Sequence, residues 1–134
     1  MVGQRTQQIA FLDDSPTVRE VLSCLLSDAG YDARACATWD ELKDALQARL
    51  PDLVLLDVEM PQILGEHIGY VLRRDFPDLR VVYLSDHDEG TLRAMAEHTG
   101  VQGYIRKSPD PDQLLREIVA FLPSVEAGEG AGGS

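Results

Sequence analysis

Short apolar runs alternate along the chain with longer segments of mixed polarity. The clearest runs are residues 9–12, 53–56 and 81–84, and weaker ones lie at 32–36 and 104–105. Continuous apolar runs of this length are typical of strands that a parallel sheet buries on both faces. The pattern therefore predicts five strands in one parallel sheet.

The segments between these runs carry helical patterns. In the first segment, Ser15 and Pro16 supply a cap and a first-turn proline, and Gly30 closes the far end. Its apolar positions recur at helical spacing, at Val18, Val21, Leu22, Leu25, Leu26 and Ala29. Further apolar stripes predict four more helices, marked by Leu42, Ile68, Leu92 and Leu114. Five strand-then-helix units predict an α/β fold with helices on both faces of the sheet.

The composition is that of one globular domain with a strong acidic bias. The chain has 134 residues, of which 44% are hydrophobic and 26% are charged. Twenty-three acidic and 12 basic residues leave a formal charge of -11 and a pI near 4.5. This charge disfavours direct binding to nucleic acid and suits cations or basic partners. We find no signal peptide and no apolar run near the roughly 18 residues of a membrane span, so we expect a cytoplasmic protein without membrane contact.

The domain is expected to occupy residues 8–122. Residues 1–7 are a short polar N-terminal segment, and residues 123–134 are predicted to be a disordered, Gly-rich tail or a linker. Cys24 and Cys36 are too few for a disulfide framework. We expect both thiols to be reduced and buried, since free cysteine behaves as a small apolar residue.

Four of the predicted strands run directly into residues with chemically versatile side chains. They are Asp13 and Asp14 after the first strand, Asp57 after the third, Ser85 after the fourth and Lys107 after the fifth. Ligands bind at the carboxyl ends of the strands in an open parallel sheet. Clustered carboxylates repel one another unless a cation lies among them, and Mg²⁺ prefers oxygen ligands. Because Mg²⁺ and lysine together recur at phosphoryl oxygens, the pattern predicts phosphoryl chemistry at this edge.

In that order and at those strand ends, these residues resemble the receiver domain of two-component response regulators. Residues 53–61, followed by Gly65, are similar to the family's phosphorylation-site motif. The resemblance spans residues 8–122 and implies a flavodoxin-like strand order of 2-1-3-4-5. It implies that a histidine kinase or phosphotransfer protein phosphorylates Asp57, with Mg²⁺ or Mn²⁺ as the cofactor. The implied metal ligands are Asp13, Asp14, Asp57 and the backbone carbonyl of Glu59.

The resemblance further implies a signalling switch rather than an enzyme. Ser85 and Lys107 would bind phosphoryl oxygens, and Tyr104 would change rotamer together with Ser85. Self-phosphorylation from small donors and self-dephosphorylation are the only reactions then expected. The implied output surface is formed by the fourth helix, the fifth strand and the fifth helix. It would bind a downstream target protein or a second copy of the chain.

Two departures from the family's pattern lie in loops. Leu64 stands where an acidic residue is usual before Gly65. Ser108 stands where the family has a proline with a cis peptide bond after the lysine. A cis bond without proline costs about 3–4 kcal/mol, so the loop that carries Lys107 is expected to be built differently.

A third departure lies at the mouth of the predicted site. Asp86 follows Ser85 where a small residue is usual. Its carboxylate would either crowd the entry to Asp57 or turn outward, to pair with Arg106 or to cap the fourth helix. The candidate modulators of the site are Glu59, Asp86 and His87.

Three alternatives remain open from the sequence. The first is a pseudo-receiver, an interaction module that keeps the fold and binds partners without phosphorylation. The second is a small Mg²⁺-dependent phosphatase of the haloacid-dehalogenase type, since Asp57 is followed two places later by the acid Glu59. Against it, the second acid is not the usual aspartate and no cap segment is evident. A flavin-binding protein is weaker still, because no phosphate-binding loop rich in Ser, Thr and Gly follows the first strand.

Overall fold

The computed structural model describes residues 6–59, 65–108 and 110–123 of the chain. Its strands are β1 (Gln8–Leu12), β2 (Asp32–Cys36), β3 (Leu53–Asp57), β4 (Val81–Ser85) and β5 (Gly103–Arg106). All strand pairs are parallel, and the sheet order is β2-β1-β3-β4-β5. The predicted fold class and strand order are therefore confirmed.

In the described residues, four helices connect the strands and a fifth follows β5, and together they cover both faces of the sheet. They are α1 (Pro16–Asp28), α2 (Trp39–Ala48), α3 (Gly65–Asp75), α4 (Glu89–Thr99) and α5 (Pro111–Val119). Buried leucines of α1 and α5 pack on one face, and the buried apolar residues of α2, α3 and α4 pack on the other. This two-sided cover explains why β1, β3 and β4 are buried along their whole length.

The helix starts follow the predicted capping chemistry. The Ser15 hydroxyl accepts a hydrogen bond from the Val18 amide at 3.3 Å, and the Thr38 hydroxyl accepts one from the Glu41 amide at 3.1 Å. The Glu41 carboxylate accepts from the amide of Ala37 at 2.7 Å, one residue before the cap. At the far end of α4, Gly100 has a φ of +84°, the left-handed conformation that glycine adopts without strain.

The register of the sheet brings the carboxyl ends of its strands together. Leu12 at the end of β1 lies opposite Leu56, and Asp57 lies opposite Leu84. Asp57 and Ser85 are the last residues of β3 and β4. The residues that the sequence placed after each strand therefore lie along one edge of the sheet.

The expectation that both cysteines are buried is wrong for Cys24. Cys36 at the end of β2 is buried, but Cys24 is exposed on α1. The buried residues of α1 are Leu22 and Leu26, and Cys24 lies between them in sequence, on the side of the helix that faces away from the sheet.

The two ends of the described chain meet at the amino edge of the sheet. The Gln7 side-chain amide donates to the carbonyl of Pro123 at 2.9 Å. The predicted terminal segments otherwise fall on residues 1–5 and 124–134, which lie outside the described residues. Within the described part of the chain, no helix is long and apolar enough to cross a membrane.

Candidate functional site

Three carboxylates meet at the carboxyl edge of the sheet. Asp13 follows β1, Asp14 comes next, and Asp57 ends β3. Each of them offers one oxygen, and these oxygens all lie within 4.8 Å of one another. Asp13 is 2% exposed and Asp57 is 4% exposed, whereas Asp14 is open to solvent. The structure therefore brings together the three acids that the sequence singled out.

Asp13 is fixed in place by groups from several elements. Its amide donates to the Cys36 carbonyl at 3.1 Å, which ties it to the end of β2. The Ser15 amide donates to Asp13 Oδ1 at 2.9 Å. Arg19 on α1 donates from Nη1 to the Asp13 carbonyl at 2.9 Å, a contact that the sequence did not suggest.

Lys107 completes the cluster from the far side of β4. Its Nζ lies 3.2 Å from Asp13 Oδ2 and 3.7 Å from Asp57 Oδ1. Its backbone amide donates to the Ser85 carbonyl at 2.9 Å, which fixes where the side chain starts. Burial lowers the pKa of Lys107, but the charges of Asp57 and Asp13 outweigh this effect and the pKa is raised. Lys107 is therefore a firmly protonated cation in the cluster.

Asp57 ionises with difficulty. Burial is the largest cause and raises its pKa, and the nearby charge of Asp13 raises it further. A hydrogen bond from the Glu59 amide at 2.9 Å and the charge of Lys107 act in the opposite direction. The net result is a pKa of about 6 instead of 3.8. The single ammonium group of Lys107 thus compensates only part of the negative charge.

The donor set of this cluster fits a hard divalent cation. Mg²⁺ prefers oxygen ligands, chiefly carboxylates and carbonyls. The three carboxylates offer such oxygens within 4.8 Å of one another. The Glu59 amide donates to Asp57 Oδ1 at 2.9 Å, so the residue whose carbonyl the family resemblance implied as a ligand lies next to Asp57.

Ser85 and two of the candidate modulators form a bridge across the site. Ser85 is fully buried, and its hydroxyl accepts from the His87 amide at 3.0 Å. His87 Nε2 lies 3.6 Å from Glu59 Oε2. This Glu59–His87 bridge joins the loop after β3 to the loop after β4, beside Asp57. The sequence suggested each residue separately but not their contact.

Asp86, the third candidate modulator, is exposed. Its charge contributes to the raised pKa of Lys107, while the charges that act on Asp57 are those of Asp13, Lys107 and Glu59. The cap of α4 is Asp88, whose carboxylate accepts from the Thr91 amide at 3.0 Å. The suggestion that Asp86 caps this helix is therefore wrong, and no ion pair joins Asp86 to Arg106 in the described structure.

Tyr104 lies on β5 with its side chain half-buried. Its hydroxyl donates to Glu89 Oε2 at 2.9 Å, and the same carboxylate oxygen lies 3.2 Å from Arg93 Nη2. The phenol is thus tied to the first turns of α4 in this structure. Its predicted coupling to Ser85 remains a prediction.

The loop after β5 differs from the family pattern in the expected way. The Ser108 hydroxyl accepts from the Asp110 amide at 3.1 Å and so shapes the turn into α5. No cis peptide bond occurs in the described residues, which include Lys107 and Ser108. The other loop departure, at Leu64, lies outside the described residues.

Comparison with known proteins identifies the family. Residues 9–119 match the response regulator receiver domain family. The chain therefore belongs to this family, whose members are regulatory switches that relay phosphoryl groups from histidine kinases in two-component systems.

Individual relatives agree with this assignment, and a solved structure shares the fold. The chain is 34% identical to response regulator Rre1 of Synechocystis sp. over 92% of this chain and 55% of that protein. It is 32% identical to response regulator MprA of Mycolicibacterium vanbaalenii over 95% of this chain and 55% of that protein. The chemotaxis protein CheY4 of Vibrio cholerae has a similar fold, with a TM-score of 0.81, 23% identity and coverage of 88% and 100% of the two chains. The chain spans about half the length of the curated response regulators it matches.

Proposed function

We propose that this protein is a Mg²⁺-dependent switch in which Asp57 accepts a phosphoryl group. The observation that carries the proposal is the meeting of three carboxylates within 4.8 Å, with the Lys107 ammonium beside them. Membership of the receiver family supports the same conclusion. The donor would be a phosphohistidine on a histidine kinase or on a phosphotransfer protein.

Mg²⁺, or Mn²⁺ in its place, would supply positive charge that neutralises phosphoryl oxygens during transfer. The residues that would hold it are Asp13, Asp14, Asp57 and the backbone carbonyl of Glu59. Their oxygens are hard ligands. Burial, followed by the charge of Asp13, raises the pKa of Asp57, and a bound cation would favour its ionised form. The carboxyl edge of the sheet is thus suited to a divalent cation, and the bound cation would in turn attract an anionic phosphodonor.

Asp57, Lys107 and Ser85 would together carry out transfer of the phosphoryl group from the donor histidine. An Asp57 carboxylate oxygen attacks the phosphorus atom while the bond from phosphorus to the donor nitrogen breaks. The bonding electron pair returns to the imidazole nitrogen. A ring that carries a proton on its other nitrogen is left neutral, and a ring without that proton takes one from water. Lys107 and the Ser85 hydroxyl would hold phosphoryl oxygens in line with the attack. The product is an acyl phosphate on Asp57, which water can hydrolyse.

A small phosphodonor tests this proposal directly. After incubation with Mg²⁺ and acetyl phosphate, intact mass measurement should show one added phosphoryl group. Protein that binds Mg²⁺ by calorimetry but gains no label would instead favour the pseudo-receiver.

The Glu59–His87 bridge would set the lifetime of the phosphorylated state. Because the bridge lies beside Asp57, it would limit the approach of water to the acyl phosphate. We expect His87→Ala to speed loss of the label about fivefold, which corresponds to a barrier lower by about 1 kcal/mol. The measurement is the decay of labelled protein by intact mass after the donor is removed.

The matched control is His98→Ala, which removes an exposed histidine near the end of α4. Glu59→Gln should have the same effect as His87→Ala, and the double variant should add little further. An unchanged or longer lifetime in His87→Ala would show that the bridge does not shield the site.

The output surface would be the face formed by α4, β5 and α5. A groove of about 440 Å³ lies there, lined by residues that include Glu89, Tyr104, Arg106 and Gln113. Phosphorylation would draw Ser85 toward the phosphoryl group, and the Tyr104 ring would change rotamer with it. The partner would be a downstream target protein or a second copy of the chain.

Substitutions on this face should separate partner binding from phosphorylation. We expect Arg106→Ala to weaken association of the labelled protein while leaving the labelling of Asp57 unchanged. Sedimentation velocity measures self-association, and Arg34→Ala on β2, at the opposite edge of the sheet, is the control. If Arg106→Ala associates normally while substitutions on α1 prevent association, the output surface lies elsewhere.

A further inference from the structure

Asp14 differs from the other two carboxylates in how it is held. Asp13 and Asp57 are buried and hydrogen-bonded, whereas Asp14 is exposed. Among the residues that the structure describes, none forms a hydrogen bond or an ion pair with the Asp14 carboxylate. One of its oxygens nevertheless lies within 4.8 Å of oxygens of both other acids. The direction of this side chain therefore depends on its own rotamer and on the backbone that carries it.

Arg19 anchors that backbone. The Asp13 carbonyl and the Asp14 amide belong to one planar peptide unit. Arg19 Nη1 donates to this carbonyl at 2.9 Å, from a half-buried position on α1. A rotation of the peptide plane would swing the Asp14 side chain away from the cluster. The guanidinium group therefore opposes that rotation.

The position of Arg19 is not explained by the stability of α1. The helix begins at Pro16, and a cation near a helix N-terminus opposes the helix dipole. The first turn of α1 contains no acidic residue to offset this charge. The positive charge of Arg19, close to the three carboxylates, also repels any other cation that binds to them. Since neither helix stability nor cation binding favours an arginine here, its favourable contribution is the hydrogen bond to the Asp13 carbonyl.

We propose that Arg19 is a positioning residue that orients the Asp14 carboxylate toward the divalent cation. It acts through the Asp13–Asp14 peptide and does not touch the cation or the phosphoryl group. The inference rests on the proposed function, since the cation is the Mg²⁺ of the phosphorylation site.

Two roles of Arg19, as a repelling charge and as a positioning residue, predict opposite changes in Mg²⁺ affinity when its guanidinium group is removed. If the charge alone mattered, Arg19→Gln would tighten Mg²⁺ binding. Positioning predicts that Arg19→Gln weakens it about tenfold, the lower end of the loss when a residue that orients a metal ligand is removed. Calorimetric titration with Mg²⁺ measures the affinity. The matched control is Arg34→Gln, which removes the same charge from an exposed site on β2.

A second measurement needs no metal. The Ser15 amide donates to Asp13 Oδ1 at 2.9 Å and reports the order of the same turn. We expect hydrogen exchange at Asp14 and Ser15, followed by NMR in the metal-free protein, to be faster in Arg19→Gln and unchanged in Arg34→Gln. Arg19→Lys keeps the charge and one possible donor on a side chain of different shape, so its exchange rate should lie between those of the unaltered protein and Arg19→Gln. If the Arg19→Gln variant does not fold, the Arg19→Lys variant provides the same two measurements.

Two results would overturn the inference. One is Mg²⁺ binding by Arg19→Gln that is as tight as that of Arg34→Gln, or tighter. The other is unchanged exchange at the turn in both Arg19 variants. Absence of Mg²⁺ binding by the unaltered protein would instead remove the metal from the proposed function, and the exchange measurement would then decide whether Arg19 orders the turn.

Discussion

Asp57→Asn is expected to abolish phosphoryl labelling by acetyl phosphate in the presence of Mg²⁺. Asparagine has nearly the same shape and can still accept the hydrogen bond from the Glu59 amide, so the site keeps its geometry. It lacks the carboxylate oxygen that would attack phosphorus, and an amide oxygen is a far weaker nucleophile. Intact mass measurement after incubation should show one added phosphoryl group in the unaltered protein and none in the variant.

The control for this experiment is Asp44→Asn, which neutralises an exposed carboxylate on α2. It should label like the unaltered protein. Asp14→Asn should be labelled more slowly, and more Mg²⁺ should be needed to reach half of the maximal rate. Label that persists in Asp57→Asn would assign the phosphoacceptor to another residue.

The same substitution is expected to raise the free energy of unfolding when no divalent cation is present. The raised pKa of Asp57, about 6 instead of 3.8, means that ionising this carboxylate destabilises the folded protein. A shift of about two units corresponds to roughly 3 kcal/mol at neutral pH. Asparagine removes this net penalty, which already includes the attraction to Lys107, but its buried amide group must itself be desolvated, so the expected gain is about 1–2 kcal/mol. Urea unfolding at pH 7.5 with a chelator measures the difference.

The dependence on pH has a definite sign. The folded protein holds the Asp57 proton more tightly than the unfolded chain does, because the folded-state pKa is the higher one. Between about pH 4 and pH 6 the contribution of this group to stability therefore falls as pH rises, and above pH 6 the penalty is complete. The gain from Asp57→Asn should be present at pH 7.5 and absent near pH 4.

Mg²⁺ should reduce the increase in the free energy of unfolding that Asp57→Asn produces. The cation would bind the folded unaltered protein more tightly than the variant and so stabilise it more. Asp44→Asn again serves as the control, with little change expected at an exposed position. A variant less stable than the unaltered protein at pH 7.5 would show that the Lys107–Asp57 attraction exceeds the penalty of burial.

Periodicity was enough to predict the α/β class and its five parallel strands, because a sheet covered on both faces needs continuous apolar strands; the strand order was implied by the family resemblance. β1, β3 and β4 are such strands, and all of their residues are buried. The signal was weakest for β2, where Asp32, Arg34 and Ala35 are exposed. An edge strand has a neighbour on one side only, so its sequence is less constrained toward apolar residues.

The make-up of the acidic cluster was also predictable. Parallel strands end at one edge, so any residue that directly follows a strand is brought to that edge regardless of its distance along the chain. The sequence therefore identified Asp13, Asp57 and Lys107 as neighbours. It failed for Cys24, because an apolar stripe on a helix does not show which residue beside the stripe faces the solvent.

The contacts that tune the site were decided by the tertiary structure alone. Arg19 reaches the Asp13 carbonyl across the turn before α1, and His87 reaches Glu59 between two loops. Loops have no repeating side-chain direction from which such contacts follow, and long side chains can adopt several rotamers. The sequence by itself thus determined the sheet, its helices and the residues at its carboxyl edge, because these depend on periodic burial. Only the packing of the loops decided how those residues are oriented, since that depends on distances between segments far apart in the chain.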